Sequence, residues 1–134
     1  MLSTDDAAEI RSLWERGTAA LCSGDWEGYQ ELWAHTPNVE VIHPDQRDWG
    51  VGWEVIGPAY RELLASGLRC EAQTRRMRIH VSARREMAWA TAEVVLRVPG
   101  AEPVERILWQ TLVFEKLKGR WRLVHGHASV PAPL

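Results

Sequence analysis

Apolar and polar positions alternate with a period of two through the second half of the chain, which predicts extended strands. The short polar segments "ARRE", "PGAE" and "KG" separate the runs, and connections of this length join antiparallel neighbours. The pattern therefore predicts a meander of four strands: "CEAQTRRMRIHVS" (70–82), "MAWATAEVVLRV" (87–98), "VERILWQTLVFEKL" (104–117) and "RWRLVHGHASV" (120–130).

The first half of the chain shows helical spacing instead. Apolar residues recur every three or four positions from Ser3, the predicted N-cap, to Cys22, and a shorter helix restarts after Ser23-Gly24 with Asp25 as its cap. "NVEVIHP" then predicts a strand and "DQRDWGVGW" a loop. A third helix is predicted from Gly57-Pro58 to Gly67, because proline is tolerated in a first turn and glycine follows helix ends.

This order of elements predicts the fold class. Three N-terminal helices followed by a mostly antiparallel sheet make an α+β domain, in which one sheet face packs on the helices. The 134 residues fit a single domain spanning 1–134.

Composition excludes several classes of partner. The chain has 16 basic and 18 acidic residues and no concentrated basic block, so nucleic acid is not expected as a partner. No apolar run approaches the roughly 20 residues that span a bilayer, and the N-terminus lacks a leader pattern, so we expect a soluble, cytoplasmic protein without a membrane partner. Cys22 and Cys70 have no motif spacing and are expected to be free thiols.

Tryptophan is over-represented, with eight residues against one Phe and two Tyr. Indole rings suit either a core or a ligand cavity. For Trp33, Trp49, Trp53 and Trp89 a cavity position is considered beside plain core packing, with Trp53 expected at a cavity mouth.

The C-terminal segment "KLKGRWRLVHGHAS" and the hairpin "RIHVSARREMAWATAEVVL" carry a family resemblance. Together with the element order, they resemble the nuclear transport factor 2-like superfamily, in particular its SnoaL-like branch and the association domain of calcium/calmodulin-dependent kinase. The resemblance implies a cone-shaped, cystatin-like roll with a curved mixed sheet, a cavity between the concave sheet face and the helices, and a homodimer through the convex face.

The resemblance also nominates a first set of site residues. His43 stands where isomerase-like members of the superfamily carry a proton-shuttling carboxylate, and an imidazole can perform that shuttle. Gln110 stands near their protonated acid, whereas Gly17 replaces a tyrosine donor and offers no side chain. The alternative for His43 is a pocket-lining residue without a catalytic task.

A second set matches cavity arginines of the kinase association domain. Glu93, Leu112 and Ala128 occupy such positions, so that domain's anionic-ligand pocket is not reproduced. Glu93 shares a strand face with Trp89, and an enclosed Glu93 would have a raised pKa. The alternative for Glu93 is an ion pair with an arginine of a neighbouring strand.

His125 and His127 lie two residues apart and therefore on one strand face. Two ligands do not make a zinc site, and no HExxH or cysteine-rich spacing accompanies them, so no metal and no cofactor are expected. If Ala128 faces the cavity, both histidines point to the opposite sheet surface.

Three functions are compatible with this sequence. The preferred hypothesis is a homodimeric roll that binds a small, largely apolar organic molecule in an aromatic-lined cavity. The alternatives are an isomerase, dehydratase or cyclase with His43 as general base, and an oligomerisation module.

Overall fold

The computed structural model describes residues 5–133. Its elements, in chain order, are α1 (Asp6–Ser23), α2 (Trp26–Gln30), β1 (Glu40–Ile42), β2 (Gly50–Val51), α3 (Trp53–Ala65), β3 (Glu71–Val81), β4 (Met87–Val98), β5 (Val104–Leu117) and β6 (Arg120–Ser129). None of the helices in this range combines the length and the hydropathy needed to cross a membrane.

The strands form one open, mixed, six-stranded sheet in the order β2-β1-β6-β5-β4-β3. β3 to β6 pair with one another in antiparallel fashion, whereas β1 runs parallel to β6 and pairs Val41 with Gly126. The predicted α+β fold with a mostly antiparallel mixed sheet is confirmed.

The four long strands agree with the sequence prediction to within one residue at each end. The main irregularity is a bulge between Arg75 and Arg78, where Arg76 has a φ of 56°. A bulge adds one residue to the strand and bends it locally, which a period of two cannot anticipate.

The two faces of the sheet differ in burial. On β4, Ala88, Ala90, Ala92 and Val94 are buried on the inner face, beneath the helices. The helix α1 packs mainly across β3, and its Trp14 donates a hydrogen bond from Nε1 to Thr74 Oγ1 at 3.2 Å. The small alanine side chains let the helix layer lie close to the sheet.

The helix α1 begins at Asp6, with Asp5 as the N-cap that accepts a hydrogen bond from the Ala8 backbone N–H. The predicted cap Ser3 lies outside the described residues. The helix ends at Ser23, and Gly24 follows with a φ of 77°, as the sequence break at this point indicated.

The helix α3 begins at Trp53, four residues before the predicted start, so the prediction from Gly57-Pro58 was wrong. Backbone contacts from distant segments fix the true start: Gly52 N–H donates to Val39 O, and Trp53 N–H donates to Thr36 O. Pro58 therefore lies inside the helix. The segment before the helix, predicted as loop, also forms the short strand β2 against β1.

Cys22 and Cys70 form a disulfide with a Cα–Cα distance of 4.5 Å, so the prediction of free thiols was wrong. The end of α1 and the residue before β3 are joined by a backbone hydrogen bond from Cys70 N–H to Cys22 O at 3.1 Å. The fold brings the two cysteines together across 48 residues, a proximity that their spacing in the sequence does not encode.

Candidate functional site

A pocket of about 400 Å³ between α3 and the β1–β2 segment brings polar side chains together opposite an apolar helix wall. We call it the α3 pocket. Its helix wall consists of side chains spaced three or four residues apart, which places them on one side of α3. They are Val55, Ile56, Ala59, Tyr60 and Leu63.

The opposite wall carries the polar groups His43, Gln46 and Asp48, together with Trp49. His43 follows β1, and a tight turn returns the chain so that Gln46 faces it. In this turn the His43 backbone N–H donates to Gln46 Oε1 at 2.9 Å, and the Gln46 backbone N–H donates to His43 O at 3.2 Å. The turn therefore holds both side chains beside the same space.

The electrostatics of His43 favour its neutral form. Partial burial lowers the pKa of His43, while the nearby Asp45 carboxylate raises it and the Arg106 guanidinium lowers it again. Arg106 Nη1 and Asp45 Oδ2 form an ion pair at 2.8 Å that links the turn to β5. A neutral imidazole can accept a proton or a hydrogen bond, which is the chemistry expected of a base or a ligand contact.

The inner end of the pocket is aromatic. Tyr60 packs on the buried Tyr29 with ring centroids 4.9 Å apart, and on Trp33 at 6.2 Å. Burial raises the pKa of Tyr60, so its hydroxyl stays protonated near neutrality. Tyr60 thus presents a rigid, uncharged surface to the pocket.

Three nominated residues lie on the inner sheet face without lining the α3 pocket. The register pairs Gln110 with the buried Ala92 and with Ala128, and pairs Leu112 with Ala90 and Gly126. All three nominated side chains, Gln110, Leu112 and Ala128, remain partly exposed. The sheet face expected for them is correct, and their contact with a ligand stays a prediction.

Trp89 and Glu93, nominated with His43 as ligand-binding residues, point away from this space, and Glu93 instead forms the ion pair with arginines of a neighbouring strand that was its alternative. Trp89 and Glu93 alternate with the buried Ala88, Ala90, Ala92 and Val94, so they project from the outer sheet face. Glu93 Oε1 accepts a hydrogen bond from Arg76 at 2.9 Å, and Arg75 lies 3.5 Å from its other oxygen. The Arg76 hydrogen bond lowers the pKa of Glu93, opposite to the rise expected for an enclosed carboxylate.

Trp53 was expected at the cavity mouth but lies outside the pocket. Trp49 lies at the mouth instead. Trp53 stacks between His35, at 4.2 Å, and Trp26, at 6.1 Å, and it contacts Trp33. Its early position in α3 turns its ring towards α2 rather than the β1–β2 segment.

Sequence reasoning missed Gln46, Asp48 and the α3 wall. A usable signal was present, because Val55, Ala59 and Leu63 have a four-residue spacing that extends a helix upstream of Gly57-Pro58.

His125 and His127 lie on the outer face, as expected if Ala128 faces inward. His125 Nδ1 lies 3.5 Å from Glu40 Oε1 on β1, and the two imidazole centroids are 6.3 Å apart. Across residues 5–133, no three His, Cys, Asp or Glu side chains are grouped so that they could hold a metal ion.

A family model described as a SnoaL-like domain matches residues 10–133, nearly the whole chain. The protein belongs to the SnoaL-like domain family. A search of the curated proteins found no match to this SnoaL-like chain.

Solved structures share the fold of this SnoaL-like protein at low sequence identity. A nuclear transport factor 2-like protein of unknown function from Pseudomonas putida is 19% identical with a TM-score of 0.83, covering 100% of this chain and 92% of its own. A nuclear transport factor 2-like superfamily protein from Salmonella enterica is 22% identical with a TM-score of 0.82, covering 95% of this chain and 92% of its own. The association domain of calcium/calmodulin-dependent kinase II from Caenorhabditis elegans is 18% identical with a TM-score of 0.78, covering 95% of this chain and 100% of its own.

Proposed function

We propose that the protein binds a small, largely apolar organic molecule in the α3 pocket. The observation that carries this proposal is the position of His43, Gln46 and Asp48 opposite an apolar helix wall, around a volume of about 400 Å³. Ligand sites typically combine an apolar lining with a few convergent polar groups, and they span roughly 300–1,000 Å³. Trp49 and Tyr60 supply the aromatic part of the lining.

Acetophenone, a small ketone with one aromatic ring, is a suitable probe of this pocket. We expect His43→Ala to weaken its binding about tenfold, because a hydrogen bond in a partly buried site contributes roughly 1 kcal/mol and the ring contributes apolar contact as well. Isothermal titration calorimetry measures the change. His35→Ala is the matched control, since His35 stacks on Trp53 outside the pocket. Equal affinity of the His43→Ala variant and the wild type would contradict the proposal.

Catalysis by His43 is a second candidate function, favoured by the lowered pKa of its half-buried imidazole. An isomerase, dehydratase or cyclase needs a general base that is unprotonated at working pH, and this imidazole meets that condition. Gln110 lies on the inner sheet face and could orient a substrate, whereas the outward-facing Glu93 could not. Binding of a carbonyl compound without turnover would contradict catalysis and leave ligand binding as the function.

The outer sheet face supports a homodimer. Trp89 and Trp109 project from it with 43% and 47% of their surface exposed, on either side of a hydrogen bond between Thr91 and Thr111. Four strands about 4.8 Å apart and about 30 Å long present about 600 Å² per subunit, which is at the lower end of the range for standard interfaces. Exposed aromatic side chains on such a face are typical of association sites.

We expect the protein to scatter light with twice the chain mass and Trp109→Lys to scatter as a monomer, because the change removes an exposed indole from the face and puts in its place a charged side chain that association would have to desolvate. Trp49→Lys is the control, since Trp49 is equally exposed beside the α3 pocket and should leave the dimer intact. A monomeric wild type would contradict the dimer. A stable assembly larger than a dimer would favour the oligomerisation module instead.

A further inference from the structure

The rim of the α3 pocket carries exposed apolar surface. Trp49, Val55 and Leu63 are 56%, 60% and 44% exposed, and each of them also lines the pocket. Single exposed apolar side chains are ordinary on protein surfaces, but several that share one concavity indicate a binding surface. The rim therefore offers contact to an occupant that extends beyond the interior of the pocket.

The helix wall of the pocket is long and narrow. Val55, Ala59 and Leu63 follow one another at four-residue intervals and form one ridge about 12 Å long. Ala59 is the small residue in the middle, so a trough lies between Val55 and Leu63. The pocket of about 400 Å³ lies along this ridge, so an elongated ligand can contact α3 over most of its length.

The opposite wall offers hydrogen bonds without a positive charge. None of the side chains that line the pocket in the described part of the chain is a lysine or an arginine. Arg106, which lies near His43, is already paired with Asp45. Asp48 adds a carboxylate to the wall, so an anionic ligand would be repelled there. A ketone or a hydroxyl can instead bond to His43 or Gln46.

We propose that the α3 pocket takes a single-chain, uncharged amphipathic molecule. Its ketone or hydroxyl lies at His43 and Gln46, and its alkyl chain follows the trough of α3 onto the rim formed by Trp49, Val55 and Leu63. This inference rests on the proposed function and adds the class of ligand to it.

A chain-length series tests the inference. Titration with hexan-2-one, octan-2-one and decan-2-one should show affinity rising about fourfold for each methylene that enters the trough. Octanoate should bind at least about tenfold more weakly than octan-2-one, because its carboxylate meets Asp48 and finds no cation in the wall.

Substitutions on the rim show where the chain lies. Val55 and Leu63 lie at opposite ends of the ridge, so one of the two variants Val55→Gln and Leu63→Gln should weaken decan-2-one binding about fivefold and leave hexan-2-one within about twofold, because only the longer chain reaches the far end. Both residues are largely exposed, so the fold should tolerate these changes. Leu68→Gln is the matched control, since Leu68 is 48% exposed and lies outside the pocket.

The outcomes separate this inference from the proposed function. An affinity that does not depend on chain length, octanoate binding as tightly as octan-2-one, or an equal effect of Leu68→Gln would each overturn the inference. In any of these cases, His43-dependent binding of acetophenone would leave the proposed function standing. Loss of binding to both acetophenone and the alkanones would overturn both.

Discussion

Replacing Cys22 with serine should lower the free energy of unfolding by about 4 kcal/mol, because the disulfide to Cys70 closes a loop across 48 residues in the unfolded chain. The link joins the end of α1 to the start of β3, two elements that pack on each other. Urea unfolding under non-reducing conditions measures the difference. Dithiothreitol should lower the stability of the wild type to that of the variant.

The double variant Cys22→Ser/Cys70→Ser is the control for this prediction. Its free energy of unfolding should equal that of Cys22→Ser to within a few tenths of a kcal/mol, because both variants lack the same disulfide bond. Two thiols titrating in the unreduced, denatured wild type would contradict the prediction. The expected cytoplasmic location stays a prediction, although disulfides persist mainly in oxidising compartments.

The meander was predictable because local signals and long-range pairing agree there. The four strands alternate apolar and polar residues between short turns, so their bounds follow from the sequence almost to the residue. The start of α3 was not predictable in this way. Gly57-Pro58 imitates a helix start, whereas the true start at Trp53 depends on hydrogen bonds to Thr36 and Val39, which only the folded chain supplies.

The candidate site was predicted in part, and the errors have a common cause. The resemblance nominated His43, and the structure places it in the α3 pocket. Glu93 and Gln110 were assigned to one cavity, but the register pairs Glu93 with Trp109 and Gln110 with Ala92, so they lie on opposite faces. Alternation within one strand shows which residues share a face. The relation between the faces of two strands requires the register.

The small side chains on one face of β4 were a signal of close packing that the sequence-based prediction overlooked. Ala88, Ala90 and Ala92 mark the face that packs closely under the helices, while the larger Trp89 and charged Glu93 belong to the outer face. Trp89 and Glu93 were instead predicted to line the cavity. Aromatic enrichment alone does not distinguish a cavity lining from an exposed association face, because tryptophan is common in both.

Asp6 should be the second large contributor to stability, because it is a buried carboxylate at the start of α1 that joins three other segments. Only 7% of its surface is exposed. Its Oδ2 pairs with Arg85 Nε at 2.5 Å, and its Oδ1 accepts from Trp121 Nε1 at 3.1 Å and lies 3.4 Å from Lys116 Nζ. The Arg85 hydrogen bond, aided by Trp121 and Lys116 and opposed by burial, lowers the pKa of Asp6 from 3.8 to about 2.

We expect Asp6→Asn to lower the free energy of unfolding by about 2 kcal/mol at pH 7, which is the linkage value of this pKa difference. Because the folded-state pKa lies below the unfolded one, the contribution is fully present above about pH 4 and is lost as the pH falls through about 2. Urea midpoints of wild type and variant should therefore differ at neutral pH and converge in acid. Glu15→Gln, an exposed change on the same helix, should show no such convergence. Parallel pH profiles for wild type and Asp6→Asn would mean that the Asp6 carboxylate does not hold α1 to the sheet by its charge.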